Sequence, residues 1–514
     1  MNSPLEQALA LRQAGRHAEA LALAQRAVAT DGRDAGLHVL IGQALAETGQ
    51  PEGALANLDR AVAMAPGHAE AHYERALVLH HLLRDPEALA AIELAVALRP
   101  DLLGLHAKRA EILRDLGRPA EALASIEHVL AKTPNDADAH ANRGVLLDEC
   151  DRPAEALTCY ERALALRPDT PAALAGRGQL RMDAGNLGAA RHDLEAAVRL
   201  APGSDNAAFA LSQLQLLEGE WPAGWTNYER RNNPRRPAHA VLPFPRWNGE
   251  APDGTRLVLV TEQGLGDMIQ FCRFAPWLAA RGHRVTILTL PSMVPLLSTL
   301  SGVEVVESIE ARRDDAIRWA PLMSVPRLTG LTIEAIPSGT PYLSADPERI
   351  ALWRTRLGDT GFKIAIAWQG RPNQRMDRGR SMPLAALAPL AALPGVRLIS
   401  LQKHAGSEQI ASFPGLVETL GPDFDAGDAA FLDAAAVMAV ADLVVSTDTS
   451  IPHLAGALGR PTMLALRHIP DWRWLLGRDD TPWYPTMRLF RQTVPGDWSG
   501  VCRRIADAVS ALQA

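Results

Sequence analysis

Through the first two hundred residues the apolar positions fall in paired helical stripes that return as a block. Pro66, Pro100, Pro134, Pro168 and Pro202 recur every 34 residues, and Ala20, Ala54, Ala88, Ala122, Ala156 and Ala190 recur in the same register. Each block holds two helix-length stripes joined by a Gly- or Pro-containing turn such as ETGQPEGA, DLGRPAEA or DAGNLGAA. Small residues at fixed places let the paired helices approach closely. Beyond Leu257 the period changes. RLVLVTEQ, HRVTILTL, KIAIAWQG, VRLISLQ, ADLVVST and TMLAL are short apolar runs, separated by helical stretches such as MIQFCRFAPWLAARG, LAALAPLAAL and AAFLDAAAVMAVA. Strands alternating with helices predict parallel sheets covered on both faces. Between the two regimes, NNPRRPAHAVLPFPRWNGEAPDG has neither period and reads as a linker packed across a domain boundary.

The 34-residue blocks resemble the tetratricopeptide repeat, with six units over residues 1–204 and a worn seventh near SQLQLLEGEWPAGWTNYERR. The expected fold class is therefore multidomain: an all-α repeat solenoid followed by an α/β unit of two Rossmann-like parallel-sheet domains. The expected boundaries are 1–231 for the solenoid, 232–256 for the linker, 257–345 for the first sheet domain, 346–361 for a connection and 362–514 for the second. Stacked repeats leave a concave face that binds a partner. His38, His72, His106 and His140 fall at one fixed place in four repeats. Packed helices lie about 8 to 10 Å apart, too far for successive rungs to share a metal, so these are packing positions. Arg75, Arg109, Arg143 and Arg177 form a second ladder. With Asn142 it is the candidate acceptor-contacting row; the alternative is that the arginine stems cover helix flanks.

Composition removes several function classes. The chain of 514 residues is 47% hydrophobic and 22% charged with a net charge of -7, which offers no general attraction to nucleic acid or acidic membranes. Cys150, Cys159, Cys272 and Cys502 show no zinc or disulfide spacing, consistent with a reducing compartment. No basic-then-apolar leader opens the sequence and no run reaches the roughly 18 apolar residues of a membrane span. A cytoplasmic protein is expected.

Ligands of open parallel sheets sit outside the strand carboxyl ends. The first strand is followed by Glu262, Gln263, Gly264, Leu265, Gly266 and Asp267, which begins like a dinucleotide fingerprint. Ile269 occupies the third glycine's place, and HRVTILTL ends without an acidic ribose ligand, which argues against NAD. No G-x-x-x-x-G-K-[ST] is present, which argues against a P-loop. Later strands lead into Trp368, Gly370 and Arg371, then Gln402 and Lys403, then the run Thr447, Asp448, Thr449, Ser450 ahead of a helix in which Pro452 suits the first position. That helix N-terminus attracts an anion such as a phosphate; the alternative is a cap by Thr449 or Ser450. His453 either touches phosphate or packs, and Lys403 either meets charge or lies on the surface. Trp368, Trp472, Trp474 and Trp483 either stack on a base or sugar or fill the core. The D-x-D of Asp423, Phe424 and Asp425 reads as a solvated turn rather than a metal site.

EQGLGDMIQFCRFAPWLAARG, AWQGRPNQRMDRGRSMPL, SLQK, STDTSIPHLAGALGRPT and DWRWLLGRDDTPWYPTMRLFRQ, in this order, resemble the heptosyltransferase-related GT-B glycosyltransferases found fused to tetratricopeptide repeats in bacteria. The layout is also similar to protein O-GlcNAc transferases and repeat-fused flagellin glycosyltransferases. The resemblance implies a nucleotide-sugar donor held by Gly264, Gly266, Trp368, Gly370, Arg371, Gln402, Lys403, Thr447, Asp448, Thr449, Ser450 and His453, with the diphosphate at the Ser446–His453 junction. It implies Asp267 as the base of an inverting transfer, with no metal or other cofactor. The acceptor would be a protein gripped by the repeats, with flagellin or another surface polypeptide as candidates. The rival reading is a binding scaffold whose transferase-like unit senses nucleotide-sugar without turnover.

Overall fold

Proline and glycine set the beat of the repeats. The computed structural model describes residues 3–30, 32–232, 239–309, 316–370 and 377–513, which form two compact units, Met1–Arg177 and Gly178–Ala514. In the first unit, helices of 13 and 14 residues alternate from Ala35 to Leu166. Pro51, Pro119 and Pro153 open the second helix of a pair, where the missing N–H would be unbonded anyway. Ala54, Ala88, Ala122 and Ala156 are wholly buried, which is why the repeat keeps a methyl group there.

Each pair turns through a left-handed residue. Gly49 and Gly117 hold it at φ 74° and 71°, and the equivalent places are held by Leu83 at 61° and Asp151 at 59°. The histidine row has an equally local cause. Nε2 of His72, His106 and His140 lies 2.8, 3.1 and 2.9 Å from the carbonyl oxygens of Pro66, Pro100 and Pro134, so each ring donates to the preceding inter-repeat turn.

The second unit opens with helices Leu187–Leu200, Asp205–Leu217 and Trp221–Tyr228 and continues into two all-parallel sheets. The first has strand order β3-β2-β1-β4, with β1 Arg256–Val260, β2 Arg284–Leu288, β3 Glu304–Val306 and β4 Ile317–Pro321. The second has order β10-β9-β8-β5-β6-β7, with β5 Phe362–Ala367, β6 Val396–Ser400, β7 Val417–Glu418, β8 Leu443–Thr447, β9 Thr462–Leu466 and β10 Met487–Arg491. Helices on both faces bury β1, β8 and β9 along their whole length, which explains their unbroken apolar runs.

Three expectations change. The segment expected as a linker extends the first sheet: Trp247 N–H donates to Trp319 O at 2.8 Å and Trp319 N–H to Pro245 O at 3.1 Å, along the edge of β4. The helix expected over MIQFCRFAPWLAARG breaks into Leu265–Phe271 and Phe274–Ala279, because Pro276 has no N–H for the Cys272 carbonyl. Pro389 divides LAALAPLAAL into Leu384–Leu387 and Ala388–Ala391 for the same reason.

The worn seventh repeat is part of the α/β core. Trp221 stacks on Trp483 at 5.6 Å, while Trp225 meets Trp472 edge-on at 5.2 Å and Phe271 at 6.2 Å. Three residues beyond Tyr228, Arg231 forms a bidentate pair with Glu262 at 2.7 and 3.1 Å, and both side chains are buried. An Arg231→Ala change strands the Glu262 carboxylate and is expected to cost roughly 3–5 kcal/mol, read as a lower urea midpoint for this unit. Leu83→Gly relieves about 1–2 kcal/mol of left-handed strain against roughly 0.5–1 of added chain entropy. A small rise in the first unit's melting temperature is expected, and a fall would refute the strain argument.

Candidate functional site

The turn after β1 is built to reverse sharply and start a helix. Gln263 takes φ 63°, and Gly264 precedes the helix Leu265–Phe271. Asp267, in the first turn of that helix, reaches back so that Oδ2 accepts the Gly264 N–H at 2.9 Å. Glu262 holds Arg231 and also accepts the Met323 N–H at 3.0 Å. Gln263 Oε1 accepts the Tyr228 hydroxyl at 3.3 Å.

The turn after β8 likewise leads from a strand into a helix. Thr449 is the cap of helix Ser450–Ala457, its hydroxyl accepting the Ile451 N–H at 3.3 Å. Pro452 therefore stands third in the helix, not first as expected, a place equally free of any need for its N–H. With Ile451 capped and Pro452 lacking a proton, the Ser450 N–H is a first-turn donor used neither by the cap nor by the helix ladder among the described residues. Thr447 is wholly buried and its Oγ1 has no partner among the described residues.

The two turns meet face to face. A Cβ on Gly266 would lie 3.1 Å from His453 Cδ2 and 3.3 Å from Ser450 Cα, so this glycine is required by close approach. A third segment, the turn Trp472–Trp474 after β9, closes the ring. Arg473 Nη2 donates to Asp267 Oδ1, Nε to Gln270 Oε1 at 2.7 Å and Nη1 to Asp471 Oδ1 at 2.8 Å. Burial pushes the Asp267 carboxyl above the usual range, with Arg473 and the Gly264 N–H pulling against it. Burial, and then the neighbouring Asp471 charge, raise Asp448 to about 6, while Arg380 opposes the rise.

The remaining expected residues divide clearly. His453 is buried, with Nδ1 3.0 Å from the Tyr484 hydroxyl and its ring stacked on Trp474 at 5.3 Å. Burial and then the cations Arg473, Arg273 and Arg380 hold its pKa well below the usual value, so the ring is neutral. Trp368 is wholly buried and donates to Gly406 O at 3.1 Å. Trp472, Trp474 and Trp483 are buried as well, so none of the four tryptophans presents a face for stacking. The Gln402 carboxamide accepts from the Trp368 and Gln369 N–H groups and donates to the Gln369 and Ala405 carbonyls, tying the ends of β5 and β6 together. Gly370 N–H donates to Ser381 Oγ at 3.1 Å. Lys403 is exposed, and its ammonium donates to Asp425 O at 2.6 Å. Arg371 lies outside the described residues.

Asp425 is not a solvated turn residue: its carboxylate accepts the Asp433 and Ala434 N–H groups at the start of helix Leu432–Val440. In the repeats, Arg75 pairs with Asp59 at 2.6 Å, Arg109 with Glu93 at 3.2 Å and Arg143 with Glu127 at 3.4 Å, a rung repeated with the 34-residue period. Asn142 is exposed beside this row, and Arg177 continues it in sequence, half-buried. Sequence reasoning gave no role to Arg473, Asp471, Gln270, Tyr228 or Arg231. The one signal for them was an arginine set between tryptophans in DWRW.

Residues 39–102, 113–180 and 149–215 match the tetratricopeptide repeat family. Residues 395–466 match glycosyltransferase family 9 (heptosyltransferase). The second sheet thus carries a stretch similar to family 9 glycosyltransferases. That segment runs from just before β6 to the end of β9, so it takes in Gln402, Lys403 and the whole Thr447–His453 turn. Protein FlbA of Caulobacter vibrioides is 30% identical over 311 residues, 56% of this chain and 52% of its own length; the chain spans about half the length of that relative. Among solved structures, the TPR protein YrrB, titled as having an unusual peptide-binding site, is 22% identical with a TM-score of 0.31, over 36% of this chain and 96% of its own. A tetratricopeptide repeat protein from Parabacteroides merdae is 15% identical with a TM-score of 0.40, over 44% of this chain and 90% of its own.

The raised Asp448 carboxyl gives a pH test. A carboxyl raised in the folded state binds its proton more tightly there than when unfolded, so its stabilising effect is complete below about pH 4 and lost as pH rises through about 6. Asp448→Asn is expected to raise the urea midpoint at pH 7 to 8 and leave it unchanged near pH 4. An equal shift at both would rule out the titration as its origin.

Proposed function

We propose that the chain is a glycosyltransferase that moves a sugar from a nucleotide-sugar donor to a protein acceptor recruited by its repeats, flagellin or another surface polypeptide being the candidate. The observation that carries this reading is the meeting of the two strand-to-helix turns, Gly266 from the first sheet unit against Ser450 and Asp267 against Arg473 from the second. The family 9 match over the second turn supports a donor there.

In this reading the donor diphosphate faces the Ser450 N–H and the start of its helix, whose dipole favours negative charge. The acceptor hydroxyl attacks the anomeric carbon, its proton passes to Asp267, and the bond to phosphate breaks with the electron pair leaving on the diphosphate. One displacement from the opposite face inverts the anomeric centre. Each Asp267 oxygen accepts one hydrogen bond, from Gly264 or Arg473, and a carboxylate oxygen has capacity for two, so a further lone pair remains for the acceptor proton. Helix dipole and guanidinium charge supply the stabilisation, and the reading calls on no resident metal.

Thermal unfolding with UDP, GDP, ADP and CMP and their sugar conjugates is the test. A ligand at a hundred times its dissociation constant adds about 2.7 kcal/mol, and Thr449→Ala is expected to weaken that response by loosening the helix start. Asp267→Ala is expected to abolish transfer while nucleotide affinity stays within about twofold of the parent. Stabilisation by no nucleotide would sink the reading. Nucleotide binding without turnover in the unaltered chain would favour the sensing scaffold instead.

A further inference from the structure

Asp267 and Arg473 are 206 residues apart in the chain and belong to different sheets, yet the guanidinium closes on the carboxylate. The arginine is buried, and the contact is made from a rigid seat. Its Nε grips Gln270, one turn beyond Asp267 on the same helix, and its Nη1 is held by Asp471, which also accepts the Arg473 backbone N–H at 3.0 Å. The guanidinium carbon lies 4.3 Å from the centre of the Trp472 ring. Trp472 in turn is boxed by Trp225 at 5.2 Å, Tyr228 at 5.7 Å and Phe271 at 6.5 Å, all in edge-on or tilted contact. Two of those three aromatics come from the helix Trp221–Tyr228.

We propose that Arg473 is a positioning residue for Asp267, seated by the aromatic frame of the repeat-like helix Trp221–Tyr228, so that the carboxylate facing the acceptor is aimed from the donor-side sheet. The proposal rests on the glycosyltransferase reading for its catalytic meaning, while the tie between the two side chains can be tested alone. Asp267 is mostly withdrawn from water, and a cation at one oxygen opposes the uptake of a proton that this favours. The charged and titratable groups around it are Arg473, Asp471, Glu262 and Tyr228. Among the described residues, Arg473 is the cation that touches it. Losing Arg473 leaves the Gly264 N–H on one oxygen, frees the other to rotate, and moves the carboxyl further in the direction burial already drives it.

The test uses the full chain with 13C-labelled aspartate carboxyls, the Asp267 resonance being identified by difference against Asp267→Asn. In Arg473→Gln this resonance is expected to titrate at higher pH than in the parent, with Arg473→Lys between the two. Donor turnover at pH 7, measured with UDP-, GDP-, ADP- and CMP-sugars, is expected to fall at least tenfold in Arg473→Gln. The acid limb of kcat/KM should move upward with the carboxyl, and nucleotide affinity should stay within about twofold. Trp472→Phe keeps the charge and thins the seat, so it covers the case in which Arg473→Gln fails to fold; a fall in kcat at unchanged KM is expected. An Asp267 resonance and acid limb at the parent pH in Arg473→Gln overturn the proposal, as does a Trp472→Phe variant with parent kcat. Separately, Asp267→Asn with parent turnover would remove Asp267 as the base and leave the titration result standing on its own.

Discussion

Two carboxylates within one six-residue turn, Glu262 buried and Asp267 mostly so, must each find a cation, and the α/β unit is arranged around meeting that demand. Glu262 begins the turn and takes Arg231 in a bidentate pair; Asp267 ends it and takes Arg473. Leaving either charge unpaired away from water would cost several kcal/mol, more than most single contacts in a domain supply. The two arginines come from opposite directions in the sequence, one from the end of the repeats and one from the loop after β9. The turn between them is therefore fixed in place by both ends of the unit.

The aromatic residues make that arrangement rigid. Trp221, Trp225 and Tyr228 from one helix, Phe271 from the first sheet domain and Trp472 and Trp483 from the second form a continuous set of edge-on and stacked contacts. Arg273 is buried in the same region, donating to the Gln270 and Trp483 carbonyls and the Tyr342 hydroxyl, with its charge over the Tyr342 and Tyr484 rings. None of these partners among the described residues is a carboxylate, and the Arg273 charge adds to the field that keeps His453 neutral. The start of helix Ser450–Ala457 is thus backed by fixed positive charge.

How much of this could be read from the residues depended on distance along the chain. The 34-residue repeat, the parallel strands and the Thr449 cap were legible because their causes are local: a proline at a helix start, an apolar run, a hydroxyl two residues before an N–H. Gly266 was legible as a special residue but not for its reason, since Ser450 lies far away in sequence. Trp368 and Gln402 fell in the right place after their strands yet turn inward, which position alone does not reveal. Arg473 and Arg231 were missed because an arginine's partner can come from anywhere in the fold, and nothing near either one in sequence names a carboxylate.

The seating of Trp221–Arg231 within the α/β unit has a consequence for how such a chain can vary. A period of 34 residues allows whole repeats to be gained or lost without disturbing the register of those that remain. That freedom stops before Trp221, because the last helix supplies Tyr228 to Gln263 and Arg231 to Glu262. Recombination that exchanges one repeat array for another leaves these contacts intact only where it cuts upstream of this helix. A cut after it would carry away half of the support of the turn from Glu262 to Asp267.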